Sequence, residues 1–281
     1  MRIVLAQVDS VLGDVNQNLA RAREILLGQA GGDTDLVVFP ELFLTGYSLG
    51  DVPHDVGIAI DDVRFSSLAA AAGDSTAALI GLVETGPGME RYNSAAYIQG
   101  GAVVHTHRKV HLANYDIWEE GKHFTPGSSI GAFDSSLGRL ATLICYDLWQ
   151  PASVVVAVHD GAQVLLVPSN SIERRFSDEA NNQDQWKAIT RFYASMFASY
   201  VVFVNRVGVE GELTFWGGSH VVDPCGRIVA EGPTHEEALV VVDIDLDEVT
   251  RRRREVPFGT EARLDLVIEE LNRIVAKGGD P

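Results

Sequence analysis

Cysteine is scarce in this 281-residue chain: Cys145 and Cys225 are the only two, far apart and in no Cys-x-x-Cys pair. That argues against a disulfide framework or a thiolate zinc site and suits a reducing cytosol. Basic residues are also few, 22 Lys and Arg against 39 Asp and Glu, for a net charge of −17. A nucleic-acid partner needs clustered cations to neutralise phosphates, so that class is set aside. One local cation could still bind an anionic substrate. No apolar run approaches the about 18 residues of a membrane span. Met1-Arg2 leads straight into Ile3-Val4-Leu5-Ala6-Gln7-Val8, too short for a secretion signal core. No Pro/Ser-rich linker divides the chain. These absences predict a cytoplasmic protein, one domain over residues 1–281, with neither membrane nor nucleic acid as partner. Hydrophobic residues, by contrast, make up 46%, enough for a sizeable core.

That apolar content is arranged as alternating strands and helices. Residues 3–8 read as a first strand. Residues 16–27 read as a helix, with Leu19, Ala22, Ile25 and Leu26 at helical spacing and Gly31-Gly32 to end it. Leu36-Val37-Val38-Phe39 is a buried strand stopped by Pro40. A helix over 66–72 and strands over 78–83, 95–99 and 102–107 follow, the last two joined by a Gly100-Gly101 hairpin. The second half alternates in the same way, with strands over 139–145, 163–167 and 201–205, helices over 152–159 and 182–199, and strands over 218–222, 227–231 and 238–244. Helices over 247–254 and 261–277 close the chain. Two such halves suggest an α/β sandwich of two facing sheets with helices on both outer faces.

Four residues stand out for chemistry. Cys145 ends a buried strand, where open α/β sheets place functional side chains, and a helix beginning near Pro151 would stabilise its thiolate. The bland alternative is a small buried hydrophobe, the usual fate of a free cysteine. Glu41 leaves the strand 36–39 through Pro40; desolvation there would raise its pKa and suit it to act as a base, against the alternative of an ordinary loop charge. Lys109, at another strand end, could stabilise an oxyanion, though most such lysines are simply solvated. Glu120 belongs to a Glu119-Glu120 pair in a polar, aromatic stretch, and a general-acid role for it requires burial. A nucleophile, a base and a cation behind three separate strand ends make a complete acyl-transfer set.

The sequence around these residues resembles the nitrilase superfamily of carbon–nitrogen hydrolases over essentially the whole chain. Phe39-Pro40-Glu41-Leu42 is similar to that family's first motif, Arg108-Lys109-Val110-His111-Leu112 to its second and Leu143-Ile144-Cys145-Tyr146-Asp147 to its third, in the expected order and approximate spacing. Phe124-Thr125-Pro126-Gly127 and Trp216-Gly217-Gly218-Ser219 match as well. The resemblance implies a four-layer αββα sandwich of two mixed sheets. It implies Cys145 as nucleophile, Glu41 as base, Lys109 as stabiliser of the tetrahedral intermediate and Glu120 as the additional glutamate, with the Tyr146 amide as oxyanion donor. It also implies no metal or organic cofactor, and a homodimer or larger homo-oligomer.

Within the family, Phe43-Leu44-Thr45-Gly46-Tyr47 and the stretch from Asn114-Tyr115 to Glu120 look most like the glutamine-hydrolysing domain of NAD synthetase. A small amide, such as a glutamine-like ω-amide, is the expected substrate. Tyr115 and Trp149 are candidate pocket walls, and Glu173, Arg174 and Arg175 could meet substrate charge. The ATP-using Ser-Gly-Gly-x-Asp-Ser loop of NAD synthetase is missing, so a stand-alone amidase is expected ahead of a detached ammonia-supplying glutaminase subunit. A nitrilase or an N-carbamoyl amide hydrolase would use the same triad; Cys145-Tyr146-Asp147 resembles the amidase branches more than the Cys-Trp-Glu of nitrilases. Three rivals remain weaker. Gly127-Ser128-Ser129-Ile130-Gly131 matches a serine nucleophile elbow but lacks the flanking strand and helix. His105, His107 and His111 suggest a metal site with no further ligand pattern. Arg251–Arg254 reads as a helix end paired with neighbouring acids more readily than as an RNA-binding arm.

Overall fold

Strands that alternate between two apolar faces must be covered on both sides, and that requirement builds the molecule. The structure, a computed structural model, describes residues 1–177, 180–259 and 261–278, without the side chains of Met89, Arg175–Ser177 and Ala180. In chain order the strands and helices of the first half are β1 (Arg2–Gln7), α1 (Val15–Gln29), β2 (Leu36–Val38), α2 (Val63–Ala72), β3 (Ala77–Thr85), β4 (Arg91–Gln99) and β5 (Ala102–Arg108). The second half continues with β6 (Ala132–Ser135), β7 (Gly138–Thr142), α3 (Pro151–His159), β8 (Val164–Ser169), β9 (Arg175–Ser177) and β10 (Ala180–Asn181). It ends with α4 (Asn182–Phe197), β11 (Tyr200–Asn205), β12 (Val207–Glu210), β13 (Leu213–Trp216), β14 (His220–Val222), β15 (Ile228–Glu231), β16 (Ala238–Asp243), α5 (Leu246–Glu255) and α6 (Leu264–Ala276).

Two six-stranded sheets face each other, ordered β16-β1-β2-β3-β4-β5 and β15-β14-β11-β8-β7-β6. Both are mixed: β1, β2 and β3 run parallel, as do β7, β8 and β11, while the flanking pairs are antiparallel. Three apolar layers match the four structural ones. Ile3, Leu5, Leu79 and Tyr97 of one sheet meet Leu140, Leu166, Val202 and Val221 of the other between the sheets. The opposite face of the first sheet, with Val4, Val37 and Ile80, packs on Ile25 and Leu26 of α1 and Phe65 and Leu68 of α2. That of the second, with Leu165, Val167 and Phe203, packs on Val154 and Ala157 of α3 and Trp186 and Tyr193 of α4. This is the αββα sandwich expected from the resemblance. The two sequence halves do not map cleanly onto the two sheets, however, because β16 returns to pair antiparallel with β1.

Candidate active site

The ends of β2 and β5 in one sheet and of β7 and β8 in the other open onto a common pocket. Glu41 enters it after Phe39-Pro40, from a turn in which Leu42 takes φ +49°. That turn lies directly on β3: a Cβ on Gly81 would stand 2.4 Å from both Leu42 N and Pro40 O, so only glycine lets it settle there. Lys109 follows β5. Cys145 does not end a strand as expected; β7 stops at Thr142, and Cys145 opens a short 3₁₀ turn with φ +45°. Such a turn lifts the residue out of the strand and presents its side chain to the space between the sheets.

Lys109 is fully buried, its Nζ donating to Glu41 Oε1 and to Glu120 Oε1, each at 2.7 Å. Glu41 is 1% exposed and Glu120 4%, which supplies the burial that a role in proton transfer requires of both. Asn93 Nδ2 donates to Glu41 Oε1 at 2.8 Å and the Asn170 amide to Oε2 at 2.9 Å. Asn170 Nδ2 holds the Glu41 carbonyl at 2.8 Å. Glu120 accepts from Tyr47 Oη at 2.7 Å and from the Ala113 amide at 2.9 Å. Cys145 is half-buried and shares the pocket wall with Glu41, Tyr47, Glu120 and Asn170.

Burial dominates the titration of these groups. It drives the Cys145 thiol well above its ordinary range, the Glu41 charge adds to this, and Lys109 only partly opposes it. The helix expected to stabilise the Cys145 thiolate, α3, begins six residues later, and burial acts in the opposite direction. Burial also raises Glu41, against the lowering effect of Lys109 and with a further push from Glu120. For Lys109 burial acts to lower the pKa, yet the two carboxylates together hold it well above the ordinary lysine range and keep it charged. A thiol that holds its proton this firmly needs a base beside it; Glu41 is the carboxylate in place, and the Lys109 ammonium favours its ionised form.

Several positioning groups were not singled out in the sequence. Asp147, fully buried, accepts from the amides of Val110, His111 and Ile144 at 3.1, 2.8 and 3.1 Å and lies 2.9 Å from His107 Nε2. It thus ties the Lys109 segment to the Cys145 turn. Glu210 accepts from the Tyr47 amide at 3.0 Å and from buried Arg206 at 2.6 Å, fixing the Tyr47 that supports Glu120. Asn170 was findable, since it follows a strand end as Glu41 does, but the strand was expected to stop at Pro168, and it runs through Ser169.

Tyr115 and Trp149, the candidate pocket walls, line the pocket together with Tyr146, Trp118 and Trp186. Glu173 does not. It is exposed and its carboxylate pairs with His235 at 3.1 Å, while its amide donates to Thr214 O. Its neighbour Arg174 lines the pocket instead, and the Arg175 side chain lies outside the described residues. The weaker rivals find other uses. The segment 127–131 has no helix after it and leads into β6. His105 stacks on Phe133 at 4.0 Å, and among the described residues no cluster of His, Cys, Asp and Glu could hold a metal ion. Arg251 pairs with Asp245 and Arg252 with Glu255, whereas Arg253 departs from the expected pattern and donates to the Ala162 and Ala198 carbonyls.

The sequence model of the carbon–nitrogen hydrolases matches residues 2–254. The chain is 32% identical over 258 residues to a glutamine-dependent NAD(+) synthetase of Thermotoga maritima, covering 89% of this chain and 43% of that protein. It therefore spans under half of that relative's length. It is 30% identical over 277 residues to an (R)-stereoselective amidase of a Pseudomonas species, covering 96% of this chain and 94% of the other. Among solved structures, a variant of the amidase from Nesterenkonia sp. AN1 is similar with a TM-score of 0.78 and 26% identity, over 96% of both chains. That structure shows covalent addition of the acetamide moiety of fluoroacetamide at the active site cysteine.

Proposed function

Because the chain belongs to the carbon–nitrogen hydrolase family, we propose that it hydrolyses a small amide through a thioester on Cys145, releasing ammonia or an amine and a carboxylic acid. The observation that carries this reading is the buried Lys109 ammonium between two carboxylates, Glu41 and Glu120, in one pocket with a free thiol.

In this mechanism Glu41 takes the thiol proton as Sγ attacks the amide carbon. Lys109 and the Tyr146 amide stabilise the oxyanion that develops. Glu41 then returns the proton to the departing nitrogen, the carbon–nitrogen bond breaks, and a thioester remains. Water enters, gives a proton to Glu41 and attacks the thioester; the acid leaves and the proton returns to Cys145. Glu120 holds Lys109 and is in turn held by Tyr47, so it orients the ammonium. No step calls on a metal or an organic cofactor.

The amidase relatives favour an amide over a nitrile, and the synthetase likeness favours a glutamine-like ω-amide. That likeness also keeps open the second reading, a glutaminase that supplies ammonia to a partner. The same proposal has the enzyme working as a homodimer or larger assembly of its own copies. The test is ammonia release over a panel of glutamine, ω-amidodicarboxylates, N-carbamoyl amino acids, aliphatic amides and nitriles, with intact-mass detection of the acyl adduct. Cys145→Ala is expected to abolish turnover and adduct while leaving the circular dichroism spectrum unchanged; ordinary turnover by that variant would exclude the thioester route.

A further inference from the structure

We infer that Arg174 is the specificity-determining residue for a substrate carboxylate at the end of the pocket away from Cys145, and that Asp116 occupies its guanidinium until substrate arrives. This rests on the amidase reading and narrows it to amides of acids, such as ω-amides of dicarboxylates.

Arg174 lines the same pocket as Cys145. Tyr115 lines it as well, its ring packed on Tyr146 with centroids 5.3 Å apart. The other charged residues of the pocket wall are Glu41 and Glu120, which share the Lys109 ammonium between them. Among the described residues of that wall, Arg174 is the cation. In a chain of net charge −17, a carboxylate approaching the site meets repulsion until it reaches such a group.

The arginine is held ready from its backbone. Glu173 N donates to Thr214 O at 2.8 Å, Asn182 N donates to Arg174 O at 2.8 Å, and Ile172 bridges to Phe215. Its guanidinium pairs with Asp116, which sits in the Tyr115–Trp118 turn with φ +53°. The Asp116 side chain is 48% exposed, so it regains water readily when displaced. Exchanging an exposed carboxylate for a desolvated one costs little and gains a charge-assisted, bidentate contact. Glu173, whose own carboxylate turns to His235, does not compete.

The experiment is calorimetric binding to the Cys145→Ala protein of the monoamide of glutaric acid and of pentanamide, which share a carbon count and differ in charge. The acid is expected to bind about ten- to a hundredfold tighter, the range of a charge-assisted hydrogen bond. Arg174→Gln in the same background is expected to erase the difference, Arg174→Lys to keep part of it, and Asp116→Asn to tighten the acid further. Equal affinity, no measurable binding of the acid, or a preference that survives Arg174→Gln overturns the assignment. Ammonia release by the wild-type protein separates the two claims: a binding preference without turnover of any amide sinks the amidase reading alone, and turnover without preference sinks the arginine alone.

Discussion

Glu41 and Lys109 show how burial turns ordinary side chains into a catalytic pair. Desolvation raises Glu41 and would neutralise Lys109, but two carboxylates on one ammonium reverse the second effect and moderate the first. A base works only when ionised, so activity should fall as pH drops through the raised Glu41 pKa. The acid limb of kcat/KM is expected to lie above about 4.3, where free glutamate titrates, and Glu41→Gln to lower kcat about 10²- to 10⁴-fold; pH–rate profiles of both proteins check this. The stability consequence has the opposite sense. A folded-state pKa above the unfolded one gives a contribution present at low pH and lost as pH rises through the folded value. Removing the cation is harsher, because Lys109→Ala leaves two buried carboxylates facing each other. A loss of roughly 3–5 kcal/mol is expected from urea unfolding, as for other broken buried ion pairs.

At the level of elements, the site depends on how tightly short turns sit on strands. The Pro40–Leu42 turn rests on β3 where Gly81 has no side chain. Gly81→Ala should lift that turn, cost about 1–3 kcal/mol as overpacking does, and lower kcat more than the stability loss explains; kinetics at a temperature where the variant is folded would show it. Element types were largely legible, since strands and helices fell close to the expected spans. The misses share a cause. On helix α4 Trp186 and Tyr193 are buried while Phe192 is 53% exposed, because helical spacing defines a stripe and not its edges. The pair β12–β13 was not foreseen, since Val207–Glu210 and Leu213–Trp216 are short and flanked by glycine.

For the whole molecule, the C-terminal helix α6 leaves apolar surface uncovered. Val267, Ile268, Leu271, Ile274 and Val275 are all more than 40% exposed, and none of the helix is buried. Water against such a face is unfavourable by about 25 cal/mol per Å², and the homo-oligomer expected for this family would cover it. Sedimentation velocity at micromolar concentration should give a dimer or larger species, and Leu271→Asp should shift it toward monomer; a monomeric wild type would contradict the expectation. Among the described residues no helix is long and apolar enough to cross a membrane.

What the chain alone determined was local, carried in contiguous stretches of residues. Strand and helix periods, the three motifs around Glu41, Lys109 and Cys145, and the family they resemble are all legible within windows of a few residues. What only the tertiary structure decided depends on groups remote in sequence. The protonated state of the Cys145 thiol, the Lys109 bridge across 68 residues to Glu41, the service of Asp147, Asn170 and Arg206, and the choice of Arg174 over Glu173 for the pocket each follow from burial and partner geometry. Desolvation and Coulomb energies are set by what surrounds a charge in three dimensions, and no stretch of sequence encodes that surrounding by itself.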